Sequence, residues 1–309
     1  MSMSMPPAGG AVPRVAAAPA PAVAPAPSHA GQPAADLDVL RITSPKGWQP
    51  VNVSELWQFR GLLYFLTWRD VKVRYKQTAL GVAWAVLQPA MMMVVFTIFF
   101  GKMVGITAGR LPYPVFSYLG LVPWTFFATA VANSGNSVVG SERLISKIYF
   151  PRLAIPFAAV AAAVVDFFIA FGLLVVLMAW YHVIPGASLL ALPLIVLTIV
   201  LLAAGVGTLL AGLNVAYRDF RYVIPFLVQL WLFATPSVYK PLDPAAMGRF
   251  GPYLAVNPMT WLIASFRAAC TGEPIPWGQF GIAAAASVVV FVAGCFYFRR
   301  LEKDFADLI

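Results

Sequence analysis

The chain carries almost none of the residues that perform chemistry. Its 309 residues include two cysteines, Cys270 and Cys295, and two histidines, His29 and His182. Neither pair has the spacing of a metal site, and two lone cysteines make no disulfide framework. No G-x-x-x-x-G-K-[ST] occurs, so nothing cradles nucleotide phosphates by that device, and no G-x-S-x-G marks a nucleophile. Charged residues are only 11% of the chain, and Asp166 is the one acid inside a long apolar run. Asp243 and Glu273 each precede a proline and read as turn residues, which leaves a membrane-embedded transferase without a carboxylate pair at the outer edge.

Apolar residues make up 61% of the chain and mean hydropathy is +0.80, far from the composition of soluble domains. The net charge of +9 would suggest nucleic acid in a soluble protein. Here its distribution matters more, and it points to a membrane without nucleic acid.

The stretch from Leu56 to Pro89 organises the rest. On a helix Tyr64, Trp68, Val71 and Tyr75 fall at i, i+4, i+7 and i+11, one aromatic-apolar stripe, with Arg69, Lys72 and Lys76 beside it. Rings flanked by cations suit an amphipathic helix lying in the headgroup layer. The pattern runs without a break into Ala79–Gly101, which at about 1.5 Å per residue crosses roughly 30 Å of hydrocarbon. Five further apolar blocks follow: Val115–Gly140, Leu153–Tyr181, Leu189–Leu213, Tyr222–Tyr239 and Gln279–Phe298. A soluble amphipathic helix with one buried core helix does not account for that repetition.

The expected fold is therefore an all-α integral membrane protein. It has six transmembrane helices, an N-terminal amphipathic interfacial helix, and short re-entrant or gate helices in the outer loop between spans five and six. Residues 1–35, with eight prolines, twelve alanines and one charge, read as a disordered tail and lack the pattern of a secretory signal. Residues 36–78 form a lead-in and the interfacial helix, 79–298 the six-span domain, and 299–309 a short tail. Lys and Arg number sixteen on the side of the two termini and the charged hinges, against five on the other, which makes both termini cytoplasmic.

Two details of the spans bear on mechanism. Asp166 at membrane depth costs about 2.5–3.5 kcal/mol on insertion scales, so it is expected to be neutral, paired or facing a cavity. A proton-coupled carrier would use it, but no second intramembrane acid offers a relay and no inverted repeat of spans is visible. Gly205 and Gly207 allow close helix approach.

Four segments carry a resemblance: RYKQTALGVAWAVLQP, LVPWTFFATAVANSGNSVVGSERLISKIYFPR, YRDFRYVIPFLVQLWLFATPSVY and NPMTWLIASFR. Together, across Leu56 to Arg300, they resemble the ABC-2-type permeases that export O-antigen, capsule and teichoic-acid polysaccharides. The resemblance implies a transport subunit of the bacterial inner membrane that is not itself an enzyme and pairs as a homodimer. It also implies two copies of a separate ATPase that hold ATP and Mg, so that this chain has no cofactor of its own. The implied substrate is a lipid-linked glycan; another lipid or small amphiphile is the alternative. By the same resemblance Ser141, Glu142, Arg143, Lys147 and Tyr149 form a coupling helix on the ATPase, and Tyr217, Arg218, Asp219 and Arg221 a second contact. A glycan has apolar C–H faces and many hydroxyls, so its path should mix rings with polar groups. Spans one, two and five supply that mixture as Trp84 and Gln88, then Trp124, Phe127 and Asn133, then Gln229, Trp231 and Phe233, with Asn257 to Arg267 near the outer mouth.

Overall fold

The computed structural model describes residues 57–76, 81–103, 111–145, 150–217, 219–238 and 256–302. The N-terminal tail and lead-in, Lys147, Tyr149, Arg218, most of the outer loop and the last seven residues lie outside the described residues. Among the described residues every regular element is helical. In chain order these are α1 (Arg60–Lys76), α2 (Ala83–Phe96), α3 (Tyr113–Ser137), α4 (Glu142–Ile145), α5 (Ala154–Trp180), α6 (Leu192–Ala216), α7 (Phe220–Phe233), α8 (Pro258–Thr271) and α9 (Trp277–Leu301). A π-helical turn, Thr97–Met103, prolongs α2, and 3-10 turns lead into α4 and α6.

Among the described residues five helices are long and apolar enough to cross a membrane: Ala83–Met103, α3, α5, Ala187–Ala216 and α9. The expected fifth span is the exception. The 14 residues of α7 cover only about 21 Å, short of the hydrocarbon thickness. Past Phe233 the chain continues through Thr235, Pro236, Ser237 and Val238 as a buried, non-helical segment. Irregular backbone at such depth must find partners within the protein. Asn257 Nδ2 donates to Ala234 O (3.2 Å), Arg267 donates to the carbonyls of Pro236 and Ser237, and the Tyr113 hydroxyl donates to Val238 O (2.8 Å).

The N-P-M-T-W motif explains why α8 begins where it does. Asn257 accepts from the backbone N–H of Met259 (3.1 Å), and Pro258 occupies a first-turn position that needs no N–H. At the other end Gly272 adopts φ +75, the left-handed closure that favours glycine, and its backbone lies against Gly186.

The core is built on α3, 78% of whose apolar window is buried against 6% for α2. Helix α6 lies between α3 and α9, and the glycine spacing is the cause. A Cβ on Gly205 would stand 2.6 Å from the backbone of Phe291 on α9, and one on Gly207 would stand 2.6 Å from Ser134 on α3. Two residues advance a helix by about 200°, so the two glycines open opposite faces.

One expectation for the N-terminal helix is corrected. It does not run unbroken into α2, because Gly81 (φ +48) and Val82 form a turn before Ala83. Its aromatic stripe is divided: Tyr75 turns inward to Asp166. Tyr64 and Trp68 are exposed, while Leu66 is buried in a cluster with Leu153, Ala154, Ile155 and Ala158 at the start of α5. Eight residues after Leu66, Arg74 reaches Asp166, which is eight residues after Ala158. Equal advance along both helices means that α1 lies lengthwise against the first half of α5. The Phe59, Leu62, Leu63, Leu66 face wins because it buries apolar area at about 25 cal/mol per Å².

Candidate functional site

One charged residue of α1 meets the acid at position 166 of α5. Arg74 Nη1 pairs with Asp166 Oδ2, and the Tyr75 hydroxyl donates to Asp166 Oδ1. Burial raises the Tyr75 phenol above its usual range, against a smaller opposing pull from Arg74, so it remains a donor near neutral pH. The expectation of a paired carboxylate therefore holds, with partners that come from α1. A lone acid in a span signals that a cation must approach it. Which of the α1 cations does so depends on helix register, which the sequence does not reveal.

This cluster forms one wall of a cavity of about 260 Å³. Trp84, Gln88 and Pro89 of α2 line a second wall, Thr125, Phe126, Thr129 and Asn133 of α3 a third, and Phe167 and Ala170 of α5 complete it. The side chains of Thr125, Thr129 and Asn133 share this wall because residues four apart stand on one helix face. Composition drew attention to Trp84, Gln88 and Asn133; Arg74, Tyr75, Thr125 and Thr129 were missed.

The other residues expected along the path fall elsewhere. Trp124 and Phe127 are buried in the main core, where Phe127 meets Trp231 edge-on with centroids 5.0 Å apart. The Trp231 indole N–H donates to Asn257 Oδ1 (3.1 Å), so Asn257 ties the end of α7 to the start of α8. Gln229 and Phe233 lie on the exposed side of α7, which also bears Tyr222, Phe226 and Leu230. The structure thus gathers three of the eight residues into one cavity, packs three in the core and leaves two at the surface. At the Tyr113 end of α3 Arg267 is buried, lies 4.0 Å above the Phe116 ring and clamps the 236–237 carbonyls.

The hinges occupy the opposite end of α3 from Tyr113. Ser141 is buried just before α4, whereas Glu142 and Arg143 are exposed. In the second hinge Tyr217, Asp219 and Arg221 are exposed, and Tyr217 contacts Phe220 at 6.3 Å between ring centroids. Behind both hinges Val138, Phe150, Leu153, Val215 and Phe298 form one packed cluster that also includes Leu66 of α1. Polar contacts reinforce it. Asn214 Nδ2 donates to Gly135 O (2.9 Å) and Asn136 Oδ1 (3.1 Å), and Arg152 Nη1 donates to Glu302 O (3.1 Å). The cluster thus joins α1, α5, α6 and α9 with the C-terminal end of α3.

Comparison with known proteins agrees with this architecture. Residues 61–270 match the family described as ABC-2 type transporter. The chain is 32% identical over 259 residues to the O-antigen export system permease protein RfbA of Myxococcus xanthus, covering 83% of this chain and 98% of that protein. It is 28% identical over 249 residues to RfbA of Klebsiella pneumoniae (80% and 95% covered). It is 23% identical over 240 residues to the polysialic acid transport protein KpsM of Escherichia coli (76% and 91% covered). The apolar helices, the exposed hinges on a shared cluster and the extent of these matches lead to one conclusion: this multi-pass membrane protein is a member of the ABC-2 type transporter family.

Proposed function

We propose that the chain is the permease subunit of an ATP-driven exporter that moves lipid-linked polysaccharide across the bacterial inner membrane. The observation that carries this reading is the pair of exposed, charged hinges seated on one rigid cluster, in a chain whose sequence holds no phosphate-cradling loop of the Walker type. Such a chain receives mechanical work from a partner that binds ATP and Mg. Ser141, Glu142, Arg143, Lys147 and Tyr149 would form the coupling contact, with Tyr217, Arg218, Asp219 and Arg221 as the second. The names of its relatives, O-antigen export permeases and a polysialic acid transport protein, support a glycan as cargo.

Two copies of this chain with two ATPase subunits would form the working unit. Helix α7 together with Ala234 and the buried segment 235–238 would make a sixth crossing. A Cβ on Gly135 of α3 would meet Ile224, and the backbone of Ser237 lies against Gly120, so this stretch follows α3 along about 22 Å. Six crossings return both termini to the cytoplasm, in line with the excess of Lys and Arg there.

The test is reconstitution with the ATPase partner. The triple variant Glu142→Ala, Arg143→Ala, Lys147→Ala is expected to insert and fold normally but to lose ATP-driven export. Full export by that variant would refute the coupling assignment.

A further inference from the structure

We infer that the cavity between α1, α2, α3 and α5 is a subsite for a single uncharged sugar ring. The inference rests on the export reading and adds to it the chemical class of the unit bound and the place where it is bound.

Charge balance is the first argument. The described lining contains one cation, Arg74, and one anion, Asp166, in direct contact and joined by the Tyr75 hydroxyl. A phosphate approaching Arg74 would meet the Asp166 carboxylate held against the same guanidinium. A phosphate or uronate therefore gains little here, because attraction to the guanidinium is offset by repulsion from Asp166.

The second argument is the inventory of unsatisfied polar groups. Among the described residues Gln88, Thr129 and Asn133 make no side-chain hydrogen bond, yet all three border the cavity at membrane depth. Two amides and a hydroxyl provide both donors and acceptors, which is what a ring of hydroxyls requires. Left without partners in hydrocarbon, such groups are costly, so a hydrated or hydroxyl-rich occupant fits better than an acyl chain.

Shape is the third. Trp84 is half exposed and lends an aromatic face to this space, against which the C–H face of a pyranose packs. The volume of about 260 Å³, below the ~300–1,000 Å³ usual for drug-sized ligands, is enough for one ring.

The test reads occupancy directly. Gln88→Cys, Thr129→Cys and Asn133→Cys are made singly in a chain carrying Cys270→Ala and Cys295→Ala. Each is exposed in nanodiscs to an uncharged, water-soluble thiol reagent. The probes, at equal concentration, are methyl glycosides of glucose, galactose, mannose and rhamnose, methyl glucuronide, and inorganic pyrophosphate.

The expected result is several-fold slower modification with at least one neutral glycoside, none with glucuronide or pyrophosphate, and loss of the protection in Trp84→Ala. If no neutral glycoside protects, if the charged probes protect equally, or if the reagent never reaches these thiols, the subsite is overturned. Export with the ATPase partner is measured separately. Protection without export would refute the export reading, and export without protection would refute the subsite alone.

Discussion

Asp166→Ala would leave Arg74 and Tyr75 without the acceptor they share. The side chain of Asp166 is 18% exposed and that of Arg74 32%, so the pair is neither a surface bridge nor fully buried. Removing one partner of a buried pair costs about 3–5 kcal/mol, most of it the penalty of stranding the other charge. Partial exposure of Arg74 lets solvent or lipid phosphate recover some of this, which brings the expected loss to about 2–3 kcal/mol. Asp166→Asn keeps an acceptor for one of the two donors and should cost less, with substantial export retained. Arg74→Met in the Asp166→Ala background removes the cation as well, so the double variant should be less destabilised than the sum of the singles, by about 1–3 kcal/mol. Thermal unfolding of the reconstituted protein, followed by near-UV circular dichroism, measures all four. Strict additivity would refute the direct pair. Abolished export in a well-folded Asp166→Asn protein, with transport following a proton gradient without ATP, would instead support a carrier mechanism.

Two further outcomes follow from packing. Gly205→Ala should destabilise by about 1–3 kcal/mol, because the backbone of Phe291 2.6 Å from the new Cβ cannot swing aside as a side-chain tip would. Gly278→Ala, whose Cβ would meet nothing within 4 Å, should be near neutral in the same melt. Asn257→Ala removes the acceptor for the Trp231 indole and the Met259 N–H, together with the donor to Ala234 O and Thr235 Oγ1. A loss of about 1–3 kcal/mol is expected, with a shift in tryptophan emission that reports Trp231 released from its partner. Unchanged emission and stability would refute the role of Asn257 as the tie between α7 and α8.

Much of the architecture was legible from residue order alone, since apolar runs, prolines, glycines and cation-rich hinges act over neighbouring positions. The long helices α3, α5, α6 and α9 fall within a few residues of the apolar blocks. Asn257–Pro258 as a helix start and the close approach at Gly205 and Gly207 were equally readable, because each depends on the residue's own backbone or volume. The carboxylate at 166 announced the need for a partner.

Tertiary structure alone decided which partner, since Arg74 and Tyr75 lie more than ninety positions away and several other α1 cations were equally available in composition. It decided that α1 turns Leu62, Leu63 and Leu66 to α5 and leaves Tyr64 and Trp68 exposed, a choice between two apolar faces that periodicity ranks alike. It also decided that α7 stops at Phe233, because Arg267, Asn257 and Tyr113 supply from distant positions the hydrogen bonds that a longer helix would have made within itself. Sequence pattern reports where a segment is apolar. Which apolar face is covered, and which polar group finds its counterpart, depends on contacts between helices far apart in the chain.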